Sequence, residues 1–165
     1  MRPVFSFDLE QKSYRLQSRV WLPRPLGEVF EFFSTAHNLE ILTPKLLHFQ
    51  IETPSPIVMQ KGLLIDYSLR LHGIPLRWRS EISAWEPPYR FVDRQVHGPY
   101  RLWHHEHRFE ERDGGTVCLD DIHYRVLGGA IVHRLFVKPD LTKIFEYRHA
   151  MMLELFGAPV GVSVA

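Results

Sequence analysis

Between Leu47 and Arg125 the sequence alternates apolar and polar residues almost without a break, and a period of two confines this stretch to strands. Leu47, Phe49 and Ile51 alternate with His48, Gln50 and Glu52. Leu63, Ile65, Tyr67, Leu69 and Leu71 share one face against Asp66, Ser68, Arg70 and His72. Trp78, Ser80, Ile82 and Ala84 oppose Arg77, Arg79, Glu81 and Ser83. Phe91–Val96, Arg101–Glu111 and Thr116–Arg125 complete six consecutive strands. Turn signals separate several of them: His72-Gly73-Ile74-Pro75, Glu86-Pro87-Pro88, Gly98-Pro99 and Asp113-Gly114-Gly115. Connections this short predict antiparallel neighbours in a meander.

The flanks add one more strand and the helices. Tyr14–Leu22 alternates and ends at Pro23 and Pro25. Leu26, Val29, Phe30 and Phe33 then follow helical spacing, so a short helix begins near Pro25, and Ser34–Leu42 reads as a second, stopped before Pro44. At the other end Leu141, Ile144, Phe145, Met152, Leu155 and Phe156 form an apolar stripe at helical period. Asp140 is a candidate N-cap, Pro139 is expected to break or kink any helix arriving from residues 130–137, and Gly157 and Pro159 stop the last helix. The expectation is an N-terminal arm over residues 1–13, one α+β domain over 14–157 and a tail over 158–165. In the domain, a curved seven-stranded antiparallel sheet buries its apolar face against a long C-terminal helix, with two short helices after the first strand.

At 165 residues and 45% hydrophobic content, the chain can bury a core of its own. Its 20 basic residues face 19 acidic ones, a net charge of +1, which offers nucleic acid no electrostatic footprint. The single cysteine, Cys118, cannot form an internal disulfide. The first residues carry no apolar run of signal-peptide length, and no segment reaches the ~20 apolar residues that span a bilayer. A cytoplasmic location and no transmembrane segment are therefore expected. No Gly-rich phosphate loop, nucleophile elbow or Cys-x-x-Cys pair occurs, so no resident cofactor or metal is expected.

The chemistry concentrates in one hairpin. Six of the ten histidines (His97, His104, His105, His107, His123 and His133) lie within 37 residues. A two-residue turn at Asp113-Gly114 would set Phe109 opposite Cys118, His107 opposite Asp120, His105 opposite Ile122 and Trp103 opposite Tyr124. One face then collects Trp103, His105, His107, Phe109, Cys118, Asp120, Ile122 and Tyr124. A one-residue slip would bury Asp121, His123 and Arg125 instead, which is worse. Three readings of this face compete. The first is a satisfied internal polar network that orients a ligand. The second is general acid–base chemistry by His105 or His107, oriented by Asp120. The third, ranked last for want of a further obvious ligand, is a two-histidine, one-carboxylate metal site. Arg148 could reach an anionic group, but solvent is the commoner fate of an arginine. Cys118 reads as a small hydrophobe rather than a nucleophile.

This element order resembles the helix-grip fold of the START/Bet v 1-like (SRPBCC) superfamily, in the branch labelled polyketide cyclase/dehydrase and lipid transport. Short stretches are similar to one bacterial ligand-binding subgroup. They include Asn38-Leu39-Glu40 with Thr43-Pro44, Asp66-Tyr67, Gly73-Ile74-Pro75, Trp78 with Glu81-Ile82, and Gly98-Pro99-Tyr100. Further on come Trp103-x-His105-x-His107-x-Phe109, Gly114-Gly115-Thr116, Asp120 with Tyr124, and Ile144-Phe145-x-Tyr147-Arg148. The resemblance implies a cavity between sheet and helix for a lipid, polyketide-like or aromatic molecule. Tyr67, Trp78, Trp103, His105, His107, Phe109, Asp120 and Tyr124 are expected to line or support it. The alternatives are an enzyme of cyclase or dehydratase type using His105, His107 and Asp120, and an interaction module that takes a protein partner or a second copy of itself.

Overall fold

The structure, a computed structural model, describes residues 2–157; the tail expected over 158–165 lies outside the described residues. The sheet grows from the hairpin β7 (Tyr100–Arg112) and β8 (Gly115–Val126). Its turn is Asp113-Gly114, both with positive φ (52° and 72°), the geometry of a type I′ turn, which asparagine, aspartate and glycine tolerate best. The turn fixes the register as the alternation requires: His107 opposite Asp120, Phe109 opposite Cys118, Trp103 opposite Tyr124.

The remaining strands are β1 (Val4–Asp8), β2 (Ser13–Leu22), β3 (Gln50–Ile51), β4 (Leu64–Leu71), β5 (Ile74–Glu86) and β6 (Arg90–His97). They form one antiparallel sheet in the order β1-β2-β8-β7-β6-β5-β4-β3. Register shifts in β5–β6 and at the start of β7 mark bulges, which bend the strands and help the sheet to curve. Helices α1 (Leu26–Ser34) and α2 (Asn38–Ile41) carry the chain from β2 to the far edge. The last described elements are α3 (Gly129–Val132), a π turn (His133–Val137) and α4 (Lys138–Phe156), which run on without interruption.

Helix α4 lies against the inner face of the sheet. Its Leu141 and Phe145 pack with Leu16, Ile122 and Tyr124, and its Met152 and Phe156 pack with Val20, Leu22, Phe109 and the Leu26, Val29 and Phe30 stripe of α1. The helix-grip architecture is as the sequence implies, with an eighth strand.

Four local expectations give way. Residues 4–8, expected as a loose arm, pair with β2 as an edge strand; their exposure (only Phe5 packs inward) leaves no contrast of faces for a period of two to show. The Leu47–Glu52 alternation is mostly not strand. Lys45–Leu47 is a 3-10 turn, His48 is left-handed at φ 44°, and only Gln50–Ile51 pairs with β4. At the next position the Glu52 N–H still donates to the Asp66 carbonyl at 2.8 Å, but the return bond goes to a side chain, the Asp66 N–H donating to Thr53 Oγ1 at 2.8 Å. Pro139 breaks nothing. It occupies the first turn of α4, where its missing N–H is harmless, and the wider π turn just before it accommodates the ring. Asp140 caps no helix end; its Oδ2 accepts from His72 Nε2 at 2.8 Å.

Candidate functional site

A cavity of about 230 Å³ lies between α4, α2 and the β4–β7 half of the sheet. Leu69, Leu71 and Leu76 turn inward there yet stay half-buried, because no side chain presses on them. An apolar cavity of about 150 Å³ already holds benzene, so this space suits something larger than a single ring. Tyr67, Trp78 and Trp103 line it as expected. Trp78 donates its indole N–H to Ser80 Oγ at 3.0 Å and meets Trp103 edge to face at 5.3 Å, so the aromatic wall is held in place. Burial, then the charge of Asp93, push the Tyr67 hydroxyl well above its ordinary value and keep it a neutral donor.

One wall is charged. His105 and His107 project from β7 into the cavity, each 5% exposed. Asp120 of β8 stands behind them, 6% exposed and outside the lining. In front is Asp93 of β6, directly opposite His105 in the register and 18% exposed toward the cavity. Arg148 of α4 closes the group from the helix side. It is 6% exposed, not solvated as its residue type suggests, and its Nη2 lies 3.5 Å from Asp120 Oδ1.

The two imidazoles bridge the two carboxylates. His105 Nε2 is 2.9 Å from Asp120 Oδ1 and its Nδ1 is 3.4 Å from Asp93 Oδ2. His107 Nε2 donates to Asp93 Oδ2 at 3.1 Å. Its Nδ1 lies 3.1 Å from Asp120 Oδ1 but out of line, so this contact is electrostatic rather than a hydrogen bond. The rings stack on each other at 3.7 Å, and His107 stacks on Phe91 at 4.2 Å. Guanidinium atom Nε of Arg148 is buried without a partner.

Charge follows from this packing. Burial pushes both histidines down. For His107, Asp120 and Asp93 on either side outweigh burial and raise it; for His105, burial and the neighbouring His107 win and lower it. Burial alone would raise Asp120, but Arg148 and the two imidazoles bring it well below the usual range, and Asp93 is likewise lowered, mainly by His105 and His107. The two carboxylates are thus held in their charged form, and of the two imidazoles His107 is the one biased toward carrying a second proton.

Two expected residues fall outside this group. Phe109 packs against Phe30 and Phe33 beneath the histidines and does not reach the cavity. Tyr124 shares the inward face but packs under Leu141 and Phe145, with its hydroxyl 2.9 Å from His133 Nε2, and so stands apart from the His–Asp cluster. Cys118 is 4% exposed and its thiol is pushed up by burial, so it is the small hydrophobe expected. Asp93 is the residue that the sequence reading missed. Its signal was present: Phe91, Asp93 and Gln95 alternate, and Phe91 pairs with His107.

No family model and no curated protein matches the sequence. Solved structures do match the fold. Protein Ms6760 from Mycobacterium smegmatis aligns over 94% of this chain and 97% of its own, with TM-score 0.66 and 14% identity. The ginseng major latex-like protein 151 from Panax ginseng aligns over 86% and 98%, with TM-score 0.61 and 14% identity. Ara h 8.0201 aligns over 86% and 99%, with TM-score 0.56 and 18% identity. The last two are Bet v 1 relatives, and this chain has the Bet v 1-like, helix-grip fold. Among the described residues no helix is long and apolar enough to cross a membrane.

Proposed function

We propose that this protein binds an apolar or amphipathic small molecule between the sheet and α4, with the His–Asp–Arg cluster holding one polar end. The observation that carries the reading is the half-buried apolar surface that the end of β4 and the start of β5 turn into the cavity. Leu69, Leu71 and Leu76 point into it and remain half-buried, apolar area that an apolar occupant would bury. The lone free thiol fits a cytoplasmic setting. Native mass spectrometry of protein purified from its own host tests this, followed by solvent extraction. The expected result is a stoichiometric passenger with an apolar body and one polar group. Protein that carries no passenger, and whose melting temperature no member of a broad apolar library raises, overturns the reading.

A second reading is acid–base chemistry on such a molecule, of cyclase or dehydratase type. It is favoured by one lowered and one raised imidazole facing the same cavity, a base and an acid side by side. A pH–rate profile that loses a limb in His107→Gln would support it.

A further inference from the structure

We propose that Asp93, His105 and His107 form a binding site for one divalent transition-metal ion, Zn²⁺ or Fe²⁺ in character, with an open coordination position facing the cavity. The sequence reading put Asp120 in the ligand set; the structure assigns the front carboxylate to Asp93 and puts Asp120 behind both rings. One donor atom from each of the three residues lies within 4.8 Å of the others. His107 Nε2 and His105 Nδ1 stand 3.1 and 3.4 Å from the same oxygen, Asp93 Oδ2. Ligands at about 2.1 Å from a tetrahedral metal are about 3.3 Å apart, so these spacings are those of first-row coordination.

Proton counting separates this site from a plain hydrogen-bond network. The cluster contains four close nitrogen–oxygen approaches: each imidazole turns one nitrogen toward Asp93 Oδ2 and the other toward Asp120 Oδ1. A neutral imidazole has one N–H. Two neutral rings therefore serve two approaches and aim two lone pairs at carboxylate oxygens. A third proton, on His107, still leaves one lone pair so aimed. A metal ion on the Asp93 side takes both lone pairs there as ligands. The N–H of His105 then donates in line to Asp120, the carboxylate–histidine–metal arrangement that fixes tautomer and ring orientation, while the N–H of His107 stays 3.1 Å from the same oxygen, out of line. Arg148 holds Asp120 in that position at 3.5 Å. The same cluster thus supplies three ligands, with Asp120 and Arg148 as their support.

Charge then names the fourth ligand. A divalent ion with Arg148 contributes three positive charges against Asp93 and Asp120, leaving one unbalanced, and buried charge demands a partner. The open position therefore favours a monoanionic oxygen donor such as a carboxylate or enolate. The metal site stands independently of the ligand-binding proposal; only the apolar body of this anion rests on it.

The test is Co²⁺ titration of the full chain without an affinity tag, after chelator treatment, read by visible absorbance. The expected result is one ion per chain with the intense bands of a low-coordinate site, displaced by Zn²⁺. Asp93→Asn and His107→Gln should abolish the bands, and Asp120→Asn should weaken binding about 10- to 100-fold. His104→Ala with His123→Ala, on the opposite face of the hairpin, should change nothing. Wild-type protein that gives no bands at micromolar Co²⁺ overturns the site, as do bands that survive Asp93→Asn and His107→Gln. Acetate and 1-naphthoate then probe the open position. Bands shifted by both, with 1-naphthoate the tighter, are expected. A shift by acetate with no gain for 1-naphthoate keeps the metal and sinks the apolar-ligand reading. No shift by either overturns the open anionic position.

Discussion

The two halves of the sheet are used differently. In the β1-β2-β8 half, Leu16, Ile122 and Tyr124 are wholly buried and Leu141 and Phe145 of α4 press directly on them. In the β4-β5 half, Ile65, Tyr67 and Ile82 form a smaller buried cluster, while Leu69, Leu71 and Leu76 face inward with the same chemistry and stay half-buried beside the cavity. The first half converts nearly all of its inner apolar surface into stability; the second packs one end and keeps space at the other. The seam between them is the His–Asp–Arg cluster, where β6, β7, β8 and α4 each contribute. Space for a ligand thus lies where the inner face of β4 and β5 is left half-buried beyond its own Ile65–Tyr67–Ile82 cluster, with a charged seam between it and the packed half.

The contrast can be broken at the seam first. Asp120→Ala removes the carboxylate that faces Arg148 and both imidazoles, and stranding those buried groups should cost about 3–5 kcal/mol in chemical denaturation. Within the packed half, Leu16→Ala should cost roughly 3 kcal/mol by the same measurement, the middle of the range for large-to-small core changes. Across the seam, Leu76→Ala should cost about 1 kcal/mol or less, since the side chain is only half-buried, while weakening capture of an apolar ligand. Equal costs for Leu16→Ala and Leu76→Ala would erase the distinction.

Acidity gives the finest test. Asp93 and Asp120 are held below their ordinary value of 3.8. Their stabilisation is therefore present above that pH and lost as pH falls through the folded-state values. His107 is raised above its ordinary 6.5, so its contribution is full below pH 6.5 and lost as pH rises through its folded value. His105, lowered from 6.5, opposes it by losing stability as pH falls. Melting curves across pH for wild type and His107→Gln should differ by a fall in stability as pH rises above 6.5 that only the wild type shows. An unchanged slope means that His107 holds no extra proton.

Legibility of the sequence follows the same seam. The β7–β8 face could be read residue by residue because a two-residue turn ties the register of one strand to the other. Asp93 was not found because its neighbours depend on the β6–β7 register, and the bulge near Tyr100 breaks simple counting from the Gly98-Pro99 turn. Arg148 was misjudged because a residue type predicts exposure, whereas its burial depends on the rotation of α4 against a sheet formed far earlier in the chain. The stretch after Pro44 deceived by alternating without pairing, since inward-facing side chains need a common side and not a ladder.

The unbroken run from Gly129 to Phe156 can be regarded mechanically, as a beam about 40 Å long at ~1.5 Å per residue. It is pinned near one end where His133 stacks on Tyr14 and bonds Tyr124, and at the other where Phe156 meets Phe32 of α1. Arg148 hangs between the two supports. A span clamped at both ends resists sagging in the middle, so the gap between helix and open half-sheet is set by its supports rather than by what fills it. An arriving guest then meets a chamber already at its working height, and less of its binding energy goes into propping the roof.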